Sequence, residues 1–154
     1  MNTITIRPVT AADFPLWKQL YEGYADHYRV ALNDDGVATT WGWLLDEAHP
    51  LTGLVAEAGE GLLGLAHFRA MPSPLRGAEI GFLDDLFVAP EARGQRIGAA
   101  LLESLRDHGR TAGWPLIRWI TRDDNYRARG LYDRHAVKSD WNTYEMSCDQ
   151  PSMG

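Results

Sequence analysis

Residues 88–105 read VAPEARGQRIGAALLESL. An apolar run ends at Val88, Pro90 cannot donate to a strand ladder, and two arginines then flank Gly94 and Gln95 before the spacing turns helical. Ile97, Ala100, Leu101 and Leu105 recur at three- and four-residue steps, which predicts a helix with one face on the core. The first turn of such a helix carries unpaired N–H groups and the positive end of the helix dipole, while Gly94 and Gly98 permit close approach. Those are the parts of a pyrophosphate cradle. The same residues also fit a plain arginine-rich loop that starts an ordinary helix.

Outward from this stretch, TGLVAEA, GLLGLAHFRA and AEIGFLDDLFV read as three successive strands joined by GEG and MPSPLRG, an antiparallel meander. GEGLLG (59–64) matches the spacing GxGxxG, but a strand follows it where a dinucleotide fingerprint needs a helix, so it reads as a hairpin turn. Before the meander come a short strand, ITIRPV, an amphipathic helix over AADFPLWKQLYEGYADHY and a second helix over ATTWGWLLDEAH, with LNDDG between them as a turn. After the quoted helix come the strand PLIRWIT, the helix DDNYRARGLYDRHA and a last strand WNTYEMSC. The order βααβββαβαβ predicts an α/β (α+β) domain, residues 1–154, with a central mixed, mostly antiparallel sheet flanked by helices.

Composition narrows the function. Apolar residues at 45% suffice for a core, and no run reaches the roughly 18 to 20 apolar residues that span a bilayer. MNTITIRPVT has neither a basic start nor an apolar signal region, so a soluble, cytoplasmic protein without a membrane partner is expected. The net charge of −6 argues against nucleic acid and favours a cationic partner. Cys148 is the single cysteine. The histidines His27, His49, His67, His108 and His135 have no ligand-like spacing, so no metal is expected.

LFVAPEARGQRIGAALL resembles the acetyl-CoA pyrophosphate motif of the GNAT N-acetyltransferases, with Arg93 opening it and Gly98 closing it. Arg96 stands where the family usually has glycine, which requires either a negative φ there or an outward side chain. DDNYRARGLYDRHA resembles the family's later motif through Asn125, Ala128, Leu131 and Tyr132, with Ala136 in place of a usual glycine. The resemblance extends from ITIRPVT to WNTYEM and is closest to the fungal histone and polyamine acetyltransferases.

The resemblance implies a GNAT fold and direct acetyl transfer from acetyl-CoA to a primary amine: a small cationic amine, a polyamine or a lysine-like group. It places the cosubstrate on Leu86, Phe87, Val88, Arg93, Gly94, Gln95, Arg96, Ile97, Gly98, Asn125 and Tyr132. Tyr132 takes the general-acid position, and the alternative for it is core packing. Asn125 reads equally as a helix N-cap. An alkylamine, protonated at neutral pH with a pKa near ~10.4, must lose a proton before attack, and Asp84 or Asp85 is expected to assist. In a regular strand these two point to opposite faces, and the family's bulge in this strand would change that parity. Gly130, inside a helix, suggests a close neighbour or a merely tolerated glycine. The aromatic group Trp17, Tyr21, Tyr24, Tyr28, Trp41 and Trp43 would line the acceptor side or pack the core. The resemblance also implies a homodimer, built through the edge of WNTYEMSC. The departures at Arg96 and Ala136 support a second reading, a catalytically inactive acyl-CoA sensor or partner module.

Overall fold

The meander forms as expected in a computed structural model of the chain, which describes residues 3–149. Strand β1 spans Ile4–Pro8, β2 Thr52–Ala58, β3 Gly61–Ser73, β4 Ala78–Val88 and β5 Ile117–Arg118. The sheet order is β1-β2-β3-β4-β5, antiparallel throughout except for the parallel β4–β5 pair. GEGLLG is a hairpin: Ala58 pairs with Gly61, and Gly59 takes the positive φ of 59° that the two-residue turn needs.

Helices α1 (Phe14–His27) and α2 (Asp34–Leu45) cover one face of the sheet, and α3 (Ile97–Ala112) covers the other. Alternation along β3 assigns the layers. Gly64 and Phe68 face α3, since a Cβ on Gly64 would meet Ile97 and Leu101, and the Phe68 ring lies 4.8 Å from that of His108. His67 faces α1, its ring 5.8 Å from Trp17. Leu65, Phe68, Ile97, Leu101 and Leu105 are almost wholly buried, and each such side chain stabilises the fold by roughly 1.5–3 kcal/mol.

Helix α2 begins within the stretch expected to be a turn. The side chain of Asn33 accepts the Gly36 N–H at 2.7 Å, which caps the helix early and recruits Asp34 and Asp35 into its positively polarised first turn. At the other end of the chain, PLIRWIT contributes only two ladder residues. The expected strand WNTYEMSC is a correction: no helix or strand occurs among the described residues after α4 (Tyr126–His135). Alternation in WNTYEMSC suits a strand, but the ladder bonds that define one need a partner, and none of the described strands pairs with it.

Candidate active site

β4 and β5 stay together only at Gly81 and Phe82. Beyond that point β4 runs on to Val88 against β3 alone, so its other edge opens toward α3 and α4. The Ala89 N–H donates to Leu63 O at 2.8 Å, and Phe87 O lies against Gly64 of β3. Alternation then sends the N–H groups of Leu86 and Val88 the other way, into the opening. A cleft of about 830 Å³ begins there.

The cleft is lined by Leu86, Phe87 and Val88, by Arg93 and Gly94, by Arg96, Ile97 and Gly98, and by Asn125 and Tyr132. Gln95 is exposed and does not line it. The first intrahelical bond of α3 runs from Ala100 N to Arg96 O, so the N–H groups of Ile97, Gly98 and Ala99 precede it. Gly94 has φ +90°, and Arg96, the residue before the helix, has φ +61°. Of the two alternatives for Arg96, a negative φ does not hold and the outward side chain does. The arginine occupies the left-handed region itself, at roughly 1–2 kcal/mol of strain, with its side chain exposed. Ala136, by contrast, has an extended backbone with φ −151°, so a glycine is not required there.

Two close contacts shape the cleft's far wall. A Cβ on Gly98 would stand 2.8 Å from Leu131 Cδ2, so glycine lets α4 settle on α3. Asn125 heads α4 without capping it; its Nδ2 donates to the Tyr28 hydroxyl at 3.0 Å, tying α4 to the end of α1. Tyr132 packs edge-on to Trp119, and burial, reinforced by nearby Tyr28, pushes its phenol up to about 12. At Gly130 a side chain would meet nothing within 4 Å, so no part of the described chain approaches it closely.

The carboxylates stand on the α1 face. His67 pairs with Asp85 and Phe68 with Leu83, leaving Asp84 as the extra residue of a β-bulge. Regular alternation would have separated the two aspartates, but the bulge brings both to partners on one face. Asp85 Oδ2 lies 2.8 Å from His67 Nδ1, and Asp84 takes two bonds from Arg69, two residues along β3, at 2.9 and 3.3 Å. Arg69 also lies 4.8 Å above the Phe82 ring. Tyr21 and Tyr24 stand over this group. Burial and the Asp85 charge raise Tyr21 to about 12 and Tyr24 further, so both keep their protons. Of the aromatic group, Trp17 is wholly buried, Trp41 packs 4.7 Å from it, Trp43 stacks on His49, 4.9 Å away, and Tyr28 meets Asn125, which leaves Tyr21 and Tyr24 beside the carboxylates.

The profile of the acetyltransferase (GNAT) family matches residues 17–136. The chain belongs to that family. It is an acetyl-transferring enzyme, which sets aside the reading as an inactive sensor. It is similar to the D-amino-acid N-acetyltransferase HPA3 of Saccharomyces cerevisiae, 26% identical over 147 residues that cover 94% of this chain and 91% of that protein. Among solved structures, it shares its fold with a ribosomal-protein-alanine N-acetyltransferase from Brucella melitensis biovar Abortus 2308, at TM-score 0.79 and 23% identity over 94% of this chain and 99% of that one. The aminoglycoside N-acetyltransferase AAC(6')-Iy, solved in complex with CoA, aligns at TM-score 0.82 and 16% identity over 96% and 97% of the two chains.

Several residues of the acetyltransferase cleft escaped the sequence reading. Arg127 and Arg134 line it together with Arg93 and Arg96, giving four arginines in an acidic protein. Their spacing of seven along α4 places them on one face with Leu131, a signal that core packing of that stripe had masked. His67 drew no attention because its link to Asp85 depends on strand register. Among the described residues there is no group of three or more histidine, cysteine, aspartate or glutamate side chains able to hold a metal, and no helix long and apolar enough to cross a membrane.

Proposed function

We propose that this acetyltransferase moves acetyl from acetyl-CoA to a primary amine by direct attack, in one catalytic domain. The observation that carries the reading is the continuity of one strand. β4 turns its open edge to an arginine-lined cleft at Leu86 and Val88 and presents Asp85 to the aromatic layer one residue earlier. The residues suit the cosubstrate. Arg93, Arg96, Arg127 and Arg134, with the first amides of α3, match a polyphosphate, and the free N–H groups of β4 match an extended amide chain.

The acceptor nitrogen loses two protons in all and the thioester sulfur gains one, the second nitrogen proton returning through water to replace the one Tyr132 gives up. Asp85 takes one from the ammonium of the acceptor, directly or through a water, freeing the lone pair for attack. The N–H groups of Leu86 and Val88 hold the charge that develops on the thioester oxygen. Tyr132, protonated throughout the neutral range, gives its proton to the departing thiolate. Asp84, occupied by Arg69, suits a structural role, which favours Asp85 as the proton acceptor.

The acceptor is a small amine, an amino acid or a lysine-like group that fits beside Tyr21 and Tyr24. The likeness to the yeast D-amino-acid enzyme supports the fungal subgroup and puts amino acids on the list. The reading includes a cytoplasmic homodimer. Trp141, Tyr144 and Met146 are 76, 91 and 89% exposed, and packing them on the bare side of β5 in a second copy would cover both surfaces.

The deciding experiment is acetyl-CoA-dependent thiol release with polyamines, D- and L-amino acids, lysine peptides and aminoglycosides, each against an enzyme-free control. Release with at least one class, abolished by Asp85→Asn, is expected. Cofactor binding without release from any acceptor class would sink the reading.

A further inference from the structure

His67 has no solvent exposure, and each of its ring nitrogens has one partner. Trp17 Nε1 lies 2.9 Å from Nε2, and Asp85 Oδ2 lies 2.8 Å from Nδ1. An indole N–H can only donate, so Nε2 must supply the lone pair. The ring proton of a neutral imidazole then resides on Nδ1 and points at Asp85. Trp17 is equally buried and is clamped between Tyr21 and Trp41, with ring centroids 5.0 and 4.7 Å away, so it has no freedom to release Nε2.

We propose that His67 is the positioning residue for the proton-accepting Asp85, and that Trp17 locks it into the tautomer that donates to the carboxylate. The inference rests on the reading of Asp85 given above. Oδ2 is committed to His67, which orients the carboxylate; Tyr24 is a further hydrogen-bond partner of Asp85, and the lone pairs that these two donors do not take serve the acceptor ammonium. The lock also keeps the imidazole from competing for that proton, because Nε2 is already occupied. The ionisable groups around the ring are Asp85 from β4, Tyr21 and Tyr24 from α1, and the Arg69–Asp84 pair one step along the strands. Tyr24 adds a hydrogen bond to Asp85 from α1, whereas His67 supplies the one at 2.8 Å from β3.

Two measurements test this. Nitrogen-15 spectra of the full chain with labelled histidine, at neutral pH, are expected to show Nδ1 protonated and Nε2 bare in His67. Trp17→Phe is expected to turn that signature into a mixture of tautomers. In kinetics at saturating acceptor, His67→Ala is expected to lower kcat by about 10- to 100-fold, as for a lost hydrogen bond to a charged group, with the KM for acetyl-CoA within about twofold of wild type. His67→Asn keeps an N–H near the Nδ1 position and is expected to recover part of kcat. Full activity in Asp85→Asn overturns the reading of Asp85 and this inference with it. An inactive Asp85→Asn beside a fully active His67→Ala overturns this inference alone, as does a wild-type spectrum with the proton on Nε2, a result that needs no variant to fold.

Discussion

Gly98 and Leu131 hold two walls of the cleft together: a single methyl on Gly98 would come within 2.8 Å of Leu131 Cδ2. Gly98→Ala should therefore push α4 outward and carry Tyr132 and Asn125 with it. The expected result is a loss of about 1–3 kcal/mol in denaturant stability, the range for overpacking, with a raised KM for acetyl-CoA. Adding Leu131→Ala should restore the KM. If the double variant is no better than the single one, the contact does not position α4.

Arg96 is strained where glycine would be relaxed. Arg96→Gly should relieve left-handed strain and raise stability by about 1 kcal/mol, visible in chemical denaturation, while weakening acetyl-CoA binding because a cation leaves the cleft. Dephospho-CoA provides the check. Binding that falls equally for both ligands assigns Arg96 to the pyrophosphate, and a loss confined to CoA assigns it to the ribose phosphate.

Tyr132→Phe should lower kcat by about 10²-fold or more, in the range of general-acid contributions. Because Tyr132 is held up to about 12, it stays protonated below that pH and adds no alkaline limb to the rate profile between pH 7 and 11. A tyrosine-dependent limb within that window, lost in the phenylalanine variant, would contradict the assignment.

Asp13 predicts acid behaviour unrelated to catalysis. Arg7 grips its carboxylate at 2.7 and 2.8 Å, with Thr10 N–H adding a third bond, and these hold it at about 2 against an ordinary 3.8. A group depressed in the folded state stabilises fully above its unfolded value and loses that contribution as pH falls through the folded one. Stability should thus drop by about 2 kcal/mol between pH 4 and pH 2 through this site. Asp13→Asn should flatten that portion of the melting-temperature profile.

The meander, the cradle helix and the cleft loop were legible because each depends on local spacing: β2 and β4 have the bounds that alternation and flanking glycines set. What depends on long-range pairing was not. The bulge that sets Asp85 opposite His67 and leaves Asp84 unpaired in the ladder arises from the register between β3 and β4, and Trp17 reaches His67 across fifty residues. Asn125 fits a cofactor contact and a cap equally on sequence; it lines the cleft and reaches Tyr28 without capping α4, a pairing no local spacing announces. The residues after α4 alternate like a strand yet have no described ladder, since pattern supplies a tendency and a neighbour supplies the bonds.

The bulge has a genetic meaning. Leu83 and Asp85 already face consecutive residues of β3, so removing Asp84 alone would leave every other pairing of the sheet in place. The strand behaves as two phrases separated by one inserted residue. A three-nucleotide deletion of that codon would remove the acceptor of Arg69 and change the local twist without a frameshift in the ladder. Lineages carrying this sheet can thus lose the second carboxylate in a single event, and keep Asp85 where it is.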